Sequence, residues 1–241
     1  NGTIVPTLSA KNYYGLASDY LRTESTYGTF SHVHRFDADS QIKTQLRHGH
    51  YERDLWASAI AFVNPISSLA DITASTALKR TPKGRVGQSD LTQVQSDYTT
   101  AFEALGHKHS LIAGVDFSDE KALRNNNATA GLPSYATLGT TVGSPNDGLS
   151  IIDTRQIPLN HFRARNFGLY AQDTMSLTPG FKLVGGVRMD RFSAQYADTS
   201  GNSYSREDTL WSPRIGAIWQ PSDTTSWYAS YGTSYNTSGD T

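Results

Sequence analysis

Apolar and polar residues alternate one by one through several stretches of the chain. In HSLIAGVDFS, Leu111, Ala113, Val115 and Phe117 fall on one side, with Ile112, Gly114, Asp116 and Ser118 on the other. NFGLYAQD sets Phe167, Leu169 and Ala171 against Gly168, Tyr170 and Gln172, and KLVGGVRMD sets Leu183, Val187 and Met189 against Gly186, Arg188 and Asp190. WSPRIGAIWQ places Trp211, Ile215, Ala217 and Trp219 opposite Arg214, Gly216 and Gln220. A period of two is that of a β-strand, whose successive side chains point to opposite faces. The pattern predicts about eight strands, over 29–36, 42–60, 86–104, 109–123, 163–177, 181–196, 207–220 and 226–236. DADSQ (37–41), GHK (106–108), TPG (178–180) and PSDTT (221–225) join them tightly, with the residue types that turns demand. Between the pairs lie longer connections at 61–85, 124–162 and 197–206, and residues 1–28 read as the tail of another. Short turns at one end and long loops at the other predict an all-β, antiparallel, up-and-down transmembrane β-barrel with a greasy exterior and a polar lumen.

Several predicted strands exceed the 9–11 residues that cross a bilayer at a tilt, so the sheet is expected to rise beyond the membrane. Eight strands could close a small barrel filled by side chains. The size of the loops, and a chain that opens in NGTIVPTLSAKNYYG and stops in YNTSGDT, make a segment of a larger barrel, cut at both ends, the expected reading. Composition narrows this little further. With 241 residues, a net charge of −1 and a pI of about 6.7, the chain has no global basic field for nucleic acid. A mean hydropathy of −0.47 and the lack of a long apolar run exclude a transmembrane helix but not a barrel. Thirteen Tyr and four Trp suit a membrane–water boundary, and the absence of cysteine excludes disulfides and thiolate metal sites.

The run RNFGLYAQDTMSLTPGFKLVGGVRMDRFSAQY, followed by WSPRIGAIWQPSDTTSWYASYGTSYN, resembles the barrel of TonB-dependent siderophore receptors. The elements that carry the resemblance are GLYAQD (168–173), LVGGVRMDRF (183–192), SPRIGAIWQP (212–221) and YASYGTSYN (228–236). HSLIAGVDFS and RTESTYGTFSHVHRFD fit the same pattern, and NYYGLASDY (12–20) looks more like the catecholate-type receptors than the hydroxamate ones. The resemblance implies that residues 1–241 are a partial barrel domain of about 22 strands in full, with the plug domain and C-terminal strands outside it. It implies no enzyme and no cofactor. Its partners would be a ferric siderophore, TonB acting through the plug, and outer-membrane lipid, with no nucleic acid.

A ferric catecholate is anionic and aromatic, so Arg and Lys beside aromatic walls suit it. Tyr13, Tyr14, Tyr20, Arg22, Lys79, Arg80, Arg124 and Tyr135 are the candidates in the expected outer loops. Gln172, Arg188, Asp190 and Arg214 are expected to line the lumen as a polar network facing the plug. Two histidine pairs, His32/His34 and His48/His50, are weak metal candidates: a hairpin centred near residue 40 would set His32 opposite His48, and imidazole suits zinc, copper or nickel. No carboxylate completes the set, and the parity shared with Ile42 and Leu46 aims His48 and His50 at the apolar face. Nothing has the spacing of a hydrolytic carboxylate pair, a nucleophile elbow or a phosphate loop. The rivals are a passive porin-like barrel and a soluble β-sandwich carbohydrate-binding module, in which Trp211/Ile215/Trp219 and Trp227/Ala229/Tyr231 would be core rather than lipid surface.

Overall fold

The computed structural model describes residues 8–235. Its strands are β1 (Tyr20–Arg35), β2 (Ser40–Phe62), β3 (Ala77–Ala104), β4 (His107–Asn125), the two-residue β5 (Thr140–Thr141), β6 (Asn160–Thr178), β7 (Phe181–Ala197), β8 (Ser203–Ser222) and β9 (Thr225–Gly232). A single 3-10 turn, Leu69–Asp71, is capped by Ser68. The strands form one sheet in the order β1-β2-β3-β4-β6-β7-β8-β9, with β5 added beside β3. Sequence neighbours are therefore sheet neighbours, as an up-and-down architecture requires, and the order is open, with β1 and β9 at its two ends.

The eight long strands are those the alternation predicts, but three begin four or more residues earlier than expected. β1 starts at Tyr20 rather than 29, β3 at Ala77 rather than 86, and β8 at Ser203 rather than 207. The connection read as a long loop over 197–206 is accordingly a short turn, closed by Tyr196 pairing with Tyr204 and Ala197 with Ser203. Within it the Asp198 carboxylate accepts from the backbone of Ser200 and Asn202 at 2.9 and 2.8 Å, with Gly201 at φ 90°. These extensions are rich in polar residues on both faces and carry no sustained alternation. The β3–β4 turn is Leu105–Gly106, both at positive φ (53° and 77°), the geometry that suits the twist of a two-residue hairpin.

Register turns the alternation into two surfaces. Leu169, Met189 and Trp211 lie side by side across β6, β7 and β8, followed by Ala171, Val187 and Pro213. Gly185, Ile215 and Tyr231 come next, then Leu183, Ala217 and Ala229, and finally Phe181, Trp219 and Trp227 near the turns. From Trp211 to Trp219 this band runs about 26 Å along the strand, at roughly 3.3 Å per residue. That is the height of the lipid-facing band of a transmembrane barrel. Its large side chains are uncovered: Trp211 is 58 % exposed and Ile215 64 %. A β-sandwich would bury them under a second sheet, so that rival falls and the band has the pattern of a lipid-facing surface.

The chain divides into two compact units. The first comprises residues 8–24, Tyr51–Gln88 and Leu123–Asn160; the second comprises Ser25–His50, Ser89–Ala122 and residues 161–235. The second carries the apolar band. The first holds most of the packed interior: Leu16, Trp56, Leu78, Ala128, Tyr135 and Val142 are all buried.

Candidate ligand-capture region and polar wall

In the first unit, segments 8–19 and 126–159 are rich in Asn, Gly, Pro and Ser and form little regular structure of their own. Charged and aromatic groups fasten them. Asp19 accepts from the Tyr13 hydroxyl (3.0 Å), the Leu16 amide (3.0 Å), and the amide and hydroxyl of Ser58 (2.9 and 3.0 Å). Arg80, with no exposed side-chain surface, donates to the Tyr14 carbonyl (2.7 Å), the Leu138 carbonyl (3.0 Å) and the Asp147 carboxylate (2.8 Å). Arg155, equally buried, donates to Asp153 (2.8 Å), Asp54 (3.1 Å) and the Tyr20 hydroxyl (2.6 Å). The Arg155 hydrogen bond holds the Asp153 carboxyl below its usual range. Trp56 packs edge-on against Tyr20 and donates to the Tyr135 hydroxyl at 3.0 Å, and burial pushes the Tyr135 phenol up. Gly84 lets the 126–132 backbone approach: a Cβ there would lie 2.0 Å from the Ala128 carbonyl oxygen.

Of the eight loop candidates, only Tyr13, Tyr14 and Tyr135 lie in connecting segments; Tyr20 and Arg22 begin β1, Lys79 and Arg80 begin β3, and Arg124 ends β4. The expectation of eight loop residues is corrected because the polar strand extensions reach further than their pattern shows. Tyr13 (49 % exposed), Arg22 and Lys79 are open to solvent. Lys79 lies on the side of β3 opposite buried Leu78 and Arg80, and Arg22 rests 4.4 Å over the Tyr20 ring. Tyr14 and Arg124 are half-buried, whereas Arg80 and Tyr135 are buried and engaged by the chain itself. Asp19, Asp54, Trp56 and Arg155 escaped the sequence reading. Their partners lie far along the chain, and no local spacing announces them.

In the second unit, Gln172, Arg188, Asp190 and Arg214 share the face opposite the apolar band: Tyr170 stands beside Arg188 and Ser212, and Gln172 beside Gly186 and Arg214. Arg188 grips Asp116 with two nitrogens (2.7 and 3.1 Å) and Asp190 with two more contacts (2.8 and 2.6 Å). Its guanidinium lies 5.3 Å over the Tyr170 ring, and the Tyr170 hydroxyl makes a short bond to Asp97. Gly168 leaves room for this knot: a Cβ there would displace the Arg188 guanidinium and the Asp116 carboxylate. An open cavity of about 780 Å³, lined by Gln45, Arg47, Gln93, Asp97, Asp116 and Arg188 among others, lies along this polar wall.

The histidines do not converge. Phe36 donates to the Ser40 carbonyl (2.9 Å), which centres the hairpin at Ala38 rather than near 40 and places His32 out of line with His48. His34 packs edge-on to Phe36, His48 bonds Thr92 (2.9 Å) and His50 bonds Asp90 (2.7 Å). Among the described residues no group of three or more His, Asp or Glu side chains is arranged for a metal.

Comparison with known proteins fits this geometry. Residues 2–241 match the family described as TonB dependent receptor-like, beta-barrel. The catecholate siderophore receptor Fiu of Escherichia coli O6:H1 (strain CFT073) is 25 % identical over 187 residues, 77 % of this chain and 24 % of that protein. The chain thus spans about a quarter of the length of the curated relatives it matches. The open-form crystal structure of the ferric-catecholate import receptor Fiu from E. coli K12 superposes with a TM-score of 0.76 at 20 % identity, covering 94 % of this chain and 38 % of that one. The siderophore receptor PiuA from Acinetobacter baumannii gives 0.77 at 18 % identity, covering 94 % and 34 %. At these identities the likeness shows the fold. The match along nearly the whole chain sets the porin aside: this chain belongs to the TonB-dependent receptor β-barrel family, a family of outer-membrane transporters and not of enzymes.

Proposed function

We propose that the protein takes part in TonB-dependent uptake of a ferric siderophore, of catecholate type, across the outer membrane. The observation that carries this is the family match over residues 2–241, with a catecholate siderophore receptor among the curated relatives. The described surface is compatible with it. Tyr13, Arg22 and Lys79 offer an aromatic ring and two cations to an anionic aromatic chelate, through stacking, cation–π and charge-assisted contacts. Tyr14, Tyr20, Arg80 and Tyr135 serve as the brace that holds those segments rather than as first contacts. The Asp116–Arg188–Asp190 wall would face a plug domain, on which TonB pulls to open a path. No bond is made or broken in the cargo.

The test is uptake of radiolabelled ferric catecholate by iron-starved cells from which redundant receptors have been removed. Uptake should fall to background when the gene is deleted and return with the full-length gene. A hydroxamate complex should be unaffected. Unchanged catecholate uptake after deletion sinks the reading.

A further inference from the structure

The lipid-facing band in the second unit ends abruptly on its side away from the short turns. On β4 the face that carries Val115 and Phe117 continues as Asp119 and Lys121; on β6 the face of Leu169 and Phe167 continues as Arg165 and Arg163. On β7 the face of Val187 and Met189 continues as Arg191, directly beside Phe167, and Ser193 stands beside Arg165. Four cations thus emerge on one surface within four residues of the last apolar ones. Three carboxylates share that surface. Asp119 accepts from Arg163 Nε (3.0 Å) and Nη2 (3.2 Å) and from Arg165 Nε (2.9 Å), while Glu207 lies opposite Ser193 on β8. Asp90, on the same face of the neighbouring β3 and bonded to His50 at 2.7 Å, adds a third carboxylate, so the balance is four positive against three negative.

Two features separate this patch from an ordinary wet strand end. Asp119 engages Arg165 through Nε alone, leaving its two terminal nitrogens unpaired among the described residues, and Arg165 is 51 % exposed at its side chain. Arg191 is exposed and makes no hydrogen bond or ion pair among the described residues. A planar guanidinium fork matches a phosphate bidentately. The patch also adjoins surface that faces acyl chains. In outer-membrane barrels the short turns are periplasmic, so this rim lies at the headgroups of the outer leaflet.

We propose that Arg163, Arg165, Arg191 and Lys121 form a binding site for the phosphate-bearing headgroup of an outer-leaflet lipid, whose chains lie along Phe117, Phe167 and Met189. Asp119 acts as the positioning residue that fans the two β6 arginines. The site does not depend on which chelate the receptor imports.

The test titrates the full-length receptor in detergent, by native mass spectrometry, with a lipid bearing a monophosphate headgroup and with the same lipid lacking the phosphate. Inorganic phosphate is the competitor. The phosphorylated lipid should bind roughly tenfold more tightly than its partner. Arg191→Gln, which breaks no contact within the protein, should weaken it several-fold, and Arg165→Gln with Arg191→Gln should abolish the preference. Inorganic phosphate at equal concentration should not displace the lipid. Equal affinity for the two lipids, or an Arg191→Gln variant indistinguishable from the unchanged receptor, overturns the proposal. Full displacement by equimolar inorganic phosphate overturns it too, leaving a simple anion site.

Discussion

Arginines with the same charge have opposite fates in this chain, and the difference is decided by what surrounds each guanidinium. Arg80 and Arg155 are buried with their donors engaged, so they hold loops; Arg22 and Arg191 are exposed and free to meet other molecules. Replacing Arg155 by Met leaves Asp54 and Asp153 facing each other without their cation. Because both carboxylates remain about a third exposed, the loss should fall below the ~3–5 kcal/mol of a fully buried broken pair. The expected result is local opening: faster hydrogen exchange and protease nicking in 126–159, with the apolar band unaffected. A pH effect follows from Asp153. Its carboxyl is held below the usual range by Arg155, so the stabilisation is complete above the unfolded value of about 3.9 and is lost as pH falls through the lower folded value. Protease resistance of this segment should therefore stay level from neutral pH to about 5 and drop below about 4.

The strands obey two rules along their length. Where they cross lipid, one face must be apolar, and the alternation is plain; beyond the band both faces meet water or loops, and the sequence of a strand looks like that of a loop. YLRTESTYG in β1, ALKRTPKGR in β3 and SYSR in β8 are of this second kind, which is why their starts were not legible. The contrast can be measured. Ile215→Lys, in the middle of the band, should cost ~2–4 kcal/mol in reversible folding of the full-length receptor into vesicles, whereas Thr209→Lys, past Trp211, should cost ~0–1 kcal/mol. Gly84→Ala tests the other region. Its methyl would collide with the Ala128 backbone, which has no side-chain freedom to yield, so the 126–132 turn should detach from β3 and become protease-sensitive.

At the scale of the molecule, the sheet order has two ends, β1 and β9, with ladder groups that only another strand can satisfy in lipid. Residues 1–241 expressed alone should therefore sediment as aggregates with vesicles under conditions in which the full-length receptor inserts. Insertion of the isolated segment as a monomer would count against that account of its edges.

The sequence by itself determined the membrane-crossing part of this protein: the two-residue period, the four tight turns and the lipid-facing side of Leu169, Val187, Trp211 and Ile215 are all local properties, readable from neighbours in the chain. It also placed Gln172, Arg188, Asp190 and Arg214 together, because parity along a strand and register across a hairpin are enough for that. Tertiary structure alone decided which charges are left over. Arg155 meets Asp54 across 101 positions, Arg80 meets Asp147 across 67, and the Trp56–Tyr135 bond spans 79. Whether a cation is fastened inside or offered outside depends on such distant partners, and no period in the chain encodes them.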